Sequence, residues 1–300
     1  METGRLEIGI EVYDPALRRL VPPDAVIERV ACGFRFTEGP VWRGDHLLFS
    51  DIPSDRIVRW ELRPEGPVVT TFRTPSGNAN GLTLDRQGRL IACEHRTRRV
   101  TRTEPDGTVT VLASHYQGKR LNSPNDVVVR SDGLIFFTDP PYGLPNQREG
   151  KELPFQGVYC LRPDGTLVLL VDDFERPNGL AFSPDERVLY IDDSFRRHIR
   201  AFDVQPDGTL TNGRLFADMT SPDTGSPDGM KVDREGHLYC TGPGGIWVYT
   251  PEGHLLGRIL PPEQPANLAW GDSDWRTLYI TARTGLYRLR VNIPGIPVGV

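Results

Sequence analysis

The chain contains only four cysteines, and they are widely separated along the sequence. They are Cys32, Cys93, Cys160 and Cys240, and no two of them have Cys-x-x-Cys spacing. Because the chain also lacks an export signal, we expect reduced, partly buried thiols rather than disulfides or a catalytic cysteine. A Gly-x-Ser-x-Gly motif is absent as well, which argues against a serine hydrolase built on a nucleophile elbow.

Signals for membranes and nucleic acids are also missing. No run of about 18 apolar residues could span a bilayer. The N-terminal segment 1–7 has neither the basic region nor the apolar region of a signal peptide. The net charge is −5, and no large basic face is evident for nucleic acid. We therefore expect a cytoplasmic protein with no membrane or nucleic-acid partner, acting as a monomer or a homodimer.

Helical periodicity is scarce, and turn residues are abundant. No amphipathic stretch of helical length is found, the best short candidate being residues 15–20, whereas 31 glycines and 27 prolines suit a chain of turns. One short pattern occurs six times: a polar first residue, an apolar stretch, a turn and a second apolar stretch. The first residues of the six copies are Glu38, Asn80, Asn125, Asn178, Asp228 and Asn267.

The spacings between these first residues are 42, 45, 53, 50 and 39. Such a period is too long for one hairpin and fits a four-stranded sheet repeated around an axis. The sequence therefore predicts an all-β protein, a six-bladed β-propeller with four-stranded blades around a central channel. We expect a single domain over residues 1–300, with 1–20 as an N-terminal extension packing on the propeller.

In a propeller blade the first strand lines the channel, so the six first residues should converge at one mouth. All six carry side-chain oxygens: two are carboxylates and four are amides. One divalent cation would neutralise the two carboxylates. Oxygen ligands without His or Cys favour a hard cation, with Ca²⁺ the first choice and Mg²⁺, Mn²⁺ or Zn²⁺ as alternatives.

The second strand of each blade should end at the same mouth, because it runs antiparallel to the first. Its end carries Asp51, Glu94-His95, Asp139, Asp192-Asp193, Thr241 and Thr281. This second ring suits a polyhydroxylated ligand or the orientation of metal ligands, although acids can also simply end strands at a surface. The longest unpatterned loop, residues 139–157, should overhang the mouth and supply Tyr142 as a pocket wall.

Four motifs resemble the gluconolactonase or senescence marker protein-30 (regucalcin) family of six-bladed propellers, in particular its bacterial gluconolactonase-like branch. They are Glu38-Gly-Pro-Val-Trp, Ser123-Pro-Asn-Asp126, Arg176-Pro-Asn-Gly179-Leu and Ser226-Pro-Asp-Gly229-Met. The resemblance implies one divalent metal held by Glu38, Asn178 and Asp228, with Asn125 close to the metal and the substrate. It also implies hydrolysis of lactones, with Asp228 as the general base and Asn125 as a donor to a substrate oxygen.

Residues beyond these motifs are expected to bind substrate. They are Asn80, Glu94, His95, Asp139, Tyr142 and Asn267. His95 is the rival general base, because a metal-bound carboxylate has its pKa pushed down by the cation. The expected partner is a small lactone such as gluconolactone. Alternatives are an esterase or phosphotriesterase using the same metal site, a propeller that binds calcium or a ligand without turnover, and an interaction scaffold.

Overall fold

The computed structural model describes residues 4–6 and 9–299. In this part of the chain the strands before the first complete blade are β1 (Gly4–Leu6), β2 (Gly9–Val12) and β3 (Ile27–Cys32), with the short helix α1 (Leu17–Leu20) between the last two. Blade 1 contains β4 (Thr37–Arg43), β5 (His46–Asp51), β6 (Arg56–Arg63) and β7 (Gly66–Arg73). Blade 2 contains β8 (Ala79–Leu84), β9 (Leu90–Glu94), β10 (Arg99–Thr103) and β11 (Val109–Ala113).

A two-stranded hairpin, β12 (His115–Tyr116) and β13 (Lys119–Arg120), leads into the second half of the molecule. Blade 3 contains β14 (Val127–Val129), β15 (Ile135–Asp139), β16 (Gln156–Leu161) and β17 (Leu167–Phe174). Blade 4 contains β18 (Pro177–Phe182), β19 (Val188–Asp193), β20 (His198–Val204) and β21 (Leu210–Asp218). Blade 5 contains β22 (Met230–Val232), β23 (Leu238–Gly242), β24 (Gly245–Tyr249) and β25 (Leu255–Leu260). Blade 6 contains β26 (Pro265–Gly271), β27 (Thr277–Ala282), β28 (Gly285–Arg290) and the earlier strand β3.

The fold is the predicted six-bladed propeller of antiparallel four-stranded sheets. Two sheets gain a fifth strand from the N-terminal segment, because β1 pairs with β3 and β2 pairs with β25. The helix expected within residues 15–20 is present as α1, and both of its leucines are buried between blades 5 and 6. Single 3₁₀ turns follow β5 at Ile52–Ser54 and interrupt the long loop at Pro145–Gln147.

The hydrophobic core is divided among the blade interfaces. Strands bury both faces when sheets stack on either side, so alternate residues of one blade pack on the next. Aromatic pairs mark several interfaces: Trp42 stacks on Tyr279 between blades 1 and 6, and Tyr239 meets Trp270 edge-on between blades 5 and 6. The ring of blades is thereby held rigid around the channel, with three of the four cysteines buried in it as free thiols.

The six first residues of the repeats open the innermost strands, as expected, with one difference in detail. Strands β4, β8, β18 and β26 begin at or just before their polar residue. Asn125 and Asp228 instead precede β14 and β22 by two residues. Their main chains are still held to the second strand, since Asn125 N donates to Thr138 O at 2.8 Å and Asp228 N donates to Thr241 O at 3.1 Å.

Candidate active site

The carboxyl groups of Glu38 and Asp228 meet at the channel mouth, although they come from blades 1 and 5. They share a hydrogen bond, and the Asn178 amide from blade 4 donates to Asp228. Burial raises the pKa of both carboxyls. Repulsion from Asp126 raises the pKa of Glu38 further, and repulsion from Glu38 and Asp126 raises that of Asp228 further. The structure thus brings together three of the predicted metal ligands.

Asn267, the first residue of the repeat in blade 6, lies beside this pair and hydrogen-bonds to Glu38. Its Nδ2 donates to Glu38 Oε2 at 3.0 Å, and its Oδ1 accepts from the ammonium of Lys231 at 3.4 Å. The side chain of Asp126, from blade 3, lies close enough to Glu38 to raise the pKa of Glu38. Lys231 is therefore a half-buried positive charge beside the acids, and the repeat pattern did not single it out.

Asn80 and His95 form a pair within blade 2. Asn80 Nδ2 lies 3.2 Å from His95 Nε2, and both side chains are buried. Burial lowers the pKa of His95 to about 4, so the imidazole is neutral at pH 7. An Asn amide can only donate through its nitrogen, so His95 Nε2 is the acceptor and Nδ1 carries the hydrogen. The Oδ1 atom of Asn80 is buried without a partner among the described residues.

Tyr142 reaches the site from the long loop between β15 and β16. Its hydroxyl contacts Ser194, and burial raises its pKa to about 12. Ser194 in turn accepts a hydrogen bond from Asn178 Nδ2 at 2.9 Å and donates to Pro227 O at 2.6 Å. The predicted loop residue is therefore connected to a predicted metal ligand through Ser194, which sequence reasoning had not singled out.

The loop that carries Tyr142 is fastened to blade 3 at its start and its end. Ser123 Oγ donates to Pro140 O at 2.7 Å and accepts from Gly143 N at 2.8 Å. Asn122 Nδ2 donates to Phe155 O at 2.9 Å near the end of the loop. The loop is a fixed wall of the mouth.

Glu94 and Asp139 end the second strands of blades 2 and 3, as predicted, and their carboxylates hold the scaffold together. Glu94 pairs with Arg73 at 2.9 Å and with Arg99 at 2.6 Å. Asp139 accepts the Asn122 N–H at 2.7 Å, and burial raises its pKa to about 7. Each carboxylate therefore already has partners within the protein.

The hydroxyl residues of the second ring bind main-chain carbonyls of the neighbouring blade. Ser50 donates to Asn80 O at 2.7 Å, Thr138 donates to Asn178 O at 2.8 Å, and Thr241 donates to Ala266 O at 2.8 Å. At the equivalent place in blade 4 stands Asp192, whose Oδ1 is buried without a partner among the described residues. These hydroxyls fix where each first residue of the repeats stands, and Asp192 adds another acid close to Asp228.

Asn125 is the remaining predicted ligand, and it lies buried at the mouth with 3% of its surface exposed. Its carbonyl accepts the Gly81 N–H at 2.8 Å, which ties blade 3 to blade 2. Gly81 is required there, because a Cβ at that position would lie 2.5 Å from the Asn125 carbonyl oxygen.

The donor set can be tested for its fit to a hard divalent cation. Among residues 4–6 and 9–299, no group of three His, Cys, Asp or Glu side chains has the spacing of a metal site. The groups that do meet are the carboxyls of Glu38 and Asp228, with the Asn178 amide beside them. Asp126 Oδ2 and Asp192 Oδ1 lie nearby as buried oxygens that lack a partner in the same residues. Oxygen-only donors with surplus negative charge fit a calcium-like cation.

The chain is similar to known proteins in both sequence and fold. A family profile described as SMP-30/Gluconolactonase/LRE-like region matches residues 36–284. A gluconolactonase of Zymomonas mobilis is 35% identical over 95% of this chain and 87% of its own length. An L-arabinolactonase of Azospirillum brasilense is 40% identical over 83% of this chain and 81% of its own length. A solved gluconolactonase of Xanthomonas campestris superimposes with a TM-score of 0.86 at 36% identity, over 97% of this chain and 99% of that one.

No helix within the described ranges has the length and apolar character that crossing a bilayer requires.

Proposed function

The chain belongs to the SMP-30/gluconolactonase/LRE-like family, and from that premise we propose that it is a hydrolase that opens the ring of small sugar lactones with the help of a divalent cation. The single observation that carries the proposal is the meeting of Glu38, Asn178 and Asp228 from three different blades at one channel mouth. The named activities of the gluconolactonase and L-arabinolactonase relatives support the substrate class.

Glu38, Asn178, Asp228 and Asn125 would hold the cation, with Ca²⁺ as the first choice because every donor is an oxygen. When bound, such a cation polarises a carbonyl oxygen and stabilises the charge that develops on it. Asn267 keeps Glu38 oriented through its 3.0 Å hydrogen bond. Ser194 does the same for Asn178 at 2.9 Å, so that two of the four ligands are positioned by side chains behind them.

Asp228 is the general base in this proposal. Its carboxylate takes a proton from the attacking water and returns a proton to the departing ring oxygen, which leaves a hydroxy acid as product. His95 is the weaker candidate, because burial lowers its pKa to about 4 and its Nε2 already accepts the Asn80 amide. We assign His95, with Asn80 and Tyr142, to the binding of substrate hydroxyls.

The remaining predicted substrate residues receive different parts. Asn267 would act through Glu38, and the engaged carboxylates of Glu94 and Asp139 would hold the pocket wall. Proton release during hydrolysis of a panel of aldonolactones tests the proposal. The protein would be stripped with a chelator and then supplied with Ca²⁺, Mg²⁺, Mn²⁺ or Zn²⁺, and the spontaneous rate of ring opening would be subtracted.

We expect turnover that disappears with chelator and returns with at least one cation, and much slower turnover from Asp228→Asn. Bound cation without turnover on any lactone or simple ester would instead support a binding propeller. Turnover of esters or phosphotriesters but not of lactones would support the alternative function, an esterase or phosphotriesterase that uses the same site.

A further inference from the structure

Arg176 lies at the channel mouth, and no carboxylate of the described residues forms an ion pair with its guanidinium. Its guanidinium lies over the ring of Tyr142, with 5.4 Å between Cζ and the ring centroid, and Nη1 donates to the amide oxygen of Gln147. Within the described ranges it forms no ion pair, whereas the nearby Arg196 and Arg200 both face aspartates. A half-buried arginine held by an aromatic face and a neutral amide keeps its charge available to a ligand.

The main chain fixes where this arginine stands relative to the reacting groups. Arg176 N donates to Asp193 Oδ1 at 3.1 Å, and Arg176 O accepts from Ser194 N at 3.0 Å. Arg176 also precedes the proposed ligand Asn178 by two residues. The guanidinium is therefore attached to the same rigid corner of blade 4 that presents Asn178 and Ser194.

Tyr142 lies between this cation and the acids. Its hydroxyl contacts Ser194 and is close enough to Asp228 and Asp192 for their charges to act on it, whereas its ring face carries Arg176. A lactone whose carbonyl lies at Glu38 and Asp228 would extend its far end past the Tyr142 hydroxyl toward Arg176. Phe195, 68% exposed beside Ser194, adds an apolar edge to this side of the mouth.

We propose that Arg176, stacked on Tyr142, binds an oxyanion at the end of the substrate remote from the scissile carbonyl. The planar guanidinium suits a carboxylate or a phosphate equally, since each presents two oxygens to its fork. The substrate class is then a sugar lactone with an acidic group on its exocyclic carbon. This inference rests on the proposed lactonase function and narrows its substrate.

The test compares three lactones of one carbon skeleton with the metal-loaded protein: neutral gluconolactone, the lactone of glucaric acid and 6-phosphogluconolactone. We expect the wild-type kcat/KM to be at least tenfold higher for one of the anionic lactones than for gluconolactone. Arg176→Met should lower that ratio at least tenfold, mainly through KM, and Arg176→Lys should retain part of it. The two anionic lactones distinguish a carboxylate site from a phosphate site.

Three further variants distinguish loss of the proposed oxyanion site from a general loss of activity. Tyr142→Leu removes the aromatic platform and should lower the ratio as Arg176→Met does. Tyr142→Phe keeps the ring and should preserve the ratio. Arg196→Met removes a neighbouring rim cation that already faces Asp193, and it should also preserve the ratio. A wild-type enzyme without preference for either anion, or a ratio that Arg176→Met leaves intact, would overturn the proposal.

Binding measurements keep this result independent of turnover. If no lactone is hydrolysed with any cation, the proposed function fails, and calorimetry with gluconate, glucarate and 6-phosphogluconate then tests the subsite alone. We expect the wild type to bind either glucarate or 6-phosphogluconate at least tenfold more tightly than Arg176→Met does. Equal binding by the two proteins would overturn the oxyanion site.

Discussion

In the proposed function Asp228 combines two roles that conflict in a single carboxylate, since a cation bound to it would also weaken it as a base. Burial raises the pKa of Asp228, and repulsion from Glu38 and Asp126 raises it further. A dication at this point would relieve a repulsion that the fold itself creates. This pairing of acids is the reason we expect the mouth to bind a cation.

Replacing Asp228 by Asn tests both roles while preserving the shape of the side chain. We expect cation binding at least tenfold weaker, because one charge is lost, and kcat lower by about 10²–10⁴, the usual contribution of a general base. Calorimetric titration with Ca²⁺ and steady-state rates at saturating cation measure the two effects separately. Asn178→Ser is the companion variant, and we expect it to weaken cation binding while leaving the proposed base in place. Wild-type turnover by Asp228→Asn at saturating cation would exclude Asp228 from proton transfer.

His95 makes the stability of the protein depend on pH in a defined direction. Its pKa is about 4 in the folded protein and near 6.5 when unfolded, so between these values the unfolded chain binds the extra proton. The contribution of His95 is therefore constant above about pH 6.5. It falls by roughly 1.4 kcal/mol per unit as the pH drops toward 4, a total of about 3 kcal/mol.

Urea unfolding of the wild type and His95→Gln at several pH values measures this effect. Glutamine keeps a polar partner for Asn80 but does not titrate. We expect the free energy of unfolding of the wild type to fall relative to that of His95→Gln by about 3 kcal/mol between pH 7 and pH 4. A difference that stays constant with pH would mean that the imidazole is not neutral and buried in the folded state.

Sequence reasoning reached the residues whose position in the repeat is visible, and missed those whose importance comes from contact across blades. Glu38 and Asp228 occupy equivalent places in their repeats, so the period alone brings them to one mouth. Lys231 and Ser194 follow no such period: one contacts Asn267 and the other contacts Asn178 only after the ring closes. A lysine inside an apolar strand was the available signal for the first, and nothing local marked the second.

At the scale of elements, the strand periods were predictable and the function of the strand ends was not. Alternating apolar residues and glycine turns indicated the paired strands of every blade. Thr241 was expected to line the mouth as part of the second ring, yet its hydroxyl bonds to a carbonyl of the next blade, as do the hydroxyls of Ser50 and Thr138. The stagger between neighbouring blades decides whether such a hydroxyl meets a main-chain carbonyl or faces the pocket. That stagger cannot be read from a single sequence.

The loop from β15 to β16 offers a test of whether a fixed wall matters for substrate binding. Ser123→Ala removes both hydrogen bonds that hold the start of the loop and leaves the Gly143 N–H without its partner. We expect a loss of about 1–3 kcal/mol of stability and a higher KM for lactone, because Tyr142 loses its placement. Cation affinity should be retained, because Glu38, Asn178 and Asp228 stand on other elements and the main chain of Asn125 is held separately by Thr138 and Gly81.

Ser183→Ala is the matched control for this prediction. Ser183 also accepts a main-chain N–H, from Val188 at 3.0 Å, but it lies in the turn at the opposite end of blade 4. It should lower stability to a similar extent with no change in KM. Equal KM values for the two variants, measured by steady-state kinetics, would show that the anchoring of the loop does not position Tyr142.

At the scale of the whole molecule, the ring is closed by a strand from the opposite end of the chain. Blade 6 takes three strands from residues 265–290 and its outermost strand, β3, from residues 27–32. Closure of this kind fixes the distance between blades 1, 5 and 6, which carry Glu38, Asp228 and Asn267. The candidate site therefore depends on the N-terminal segment, although no proposed ligand lies within it.

Two truncations separate closure from simple edge covering. Deleting residues 1–12 removes β1 and β2, which only extend blades 6 and 5 at their outer edges. We expect this protein to stay folded, with a slightly lower melting temperature and unchanged cation affinity. Deleting residues 1–33 also removes β3 and α1. Five buried apolar side chains larger than alanine are then lost from the interfaces of blade 6: Leu17, Leu20, Val21, Ile27 and Val30.

At roughly 1.5–3 kcal/mol for each buried side chain, that loss is about 8–15 kcal/mol, as large as the whole stability of a typical domain. The longer deletion also exposes the edge of β28 and removes the Val30 carbonyl that accepts the Trp60 indole N–H at 3.3 Å. We expect it to aggregate or to unfold without a cooperative transition, which size-exclusion chromatography and thermal unfolding would reveal. If it remained monomeric, with the same cation affinity as the shorter deletion, the N-terminal strand would cover an edge of a ring that closes without it.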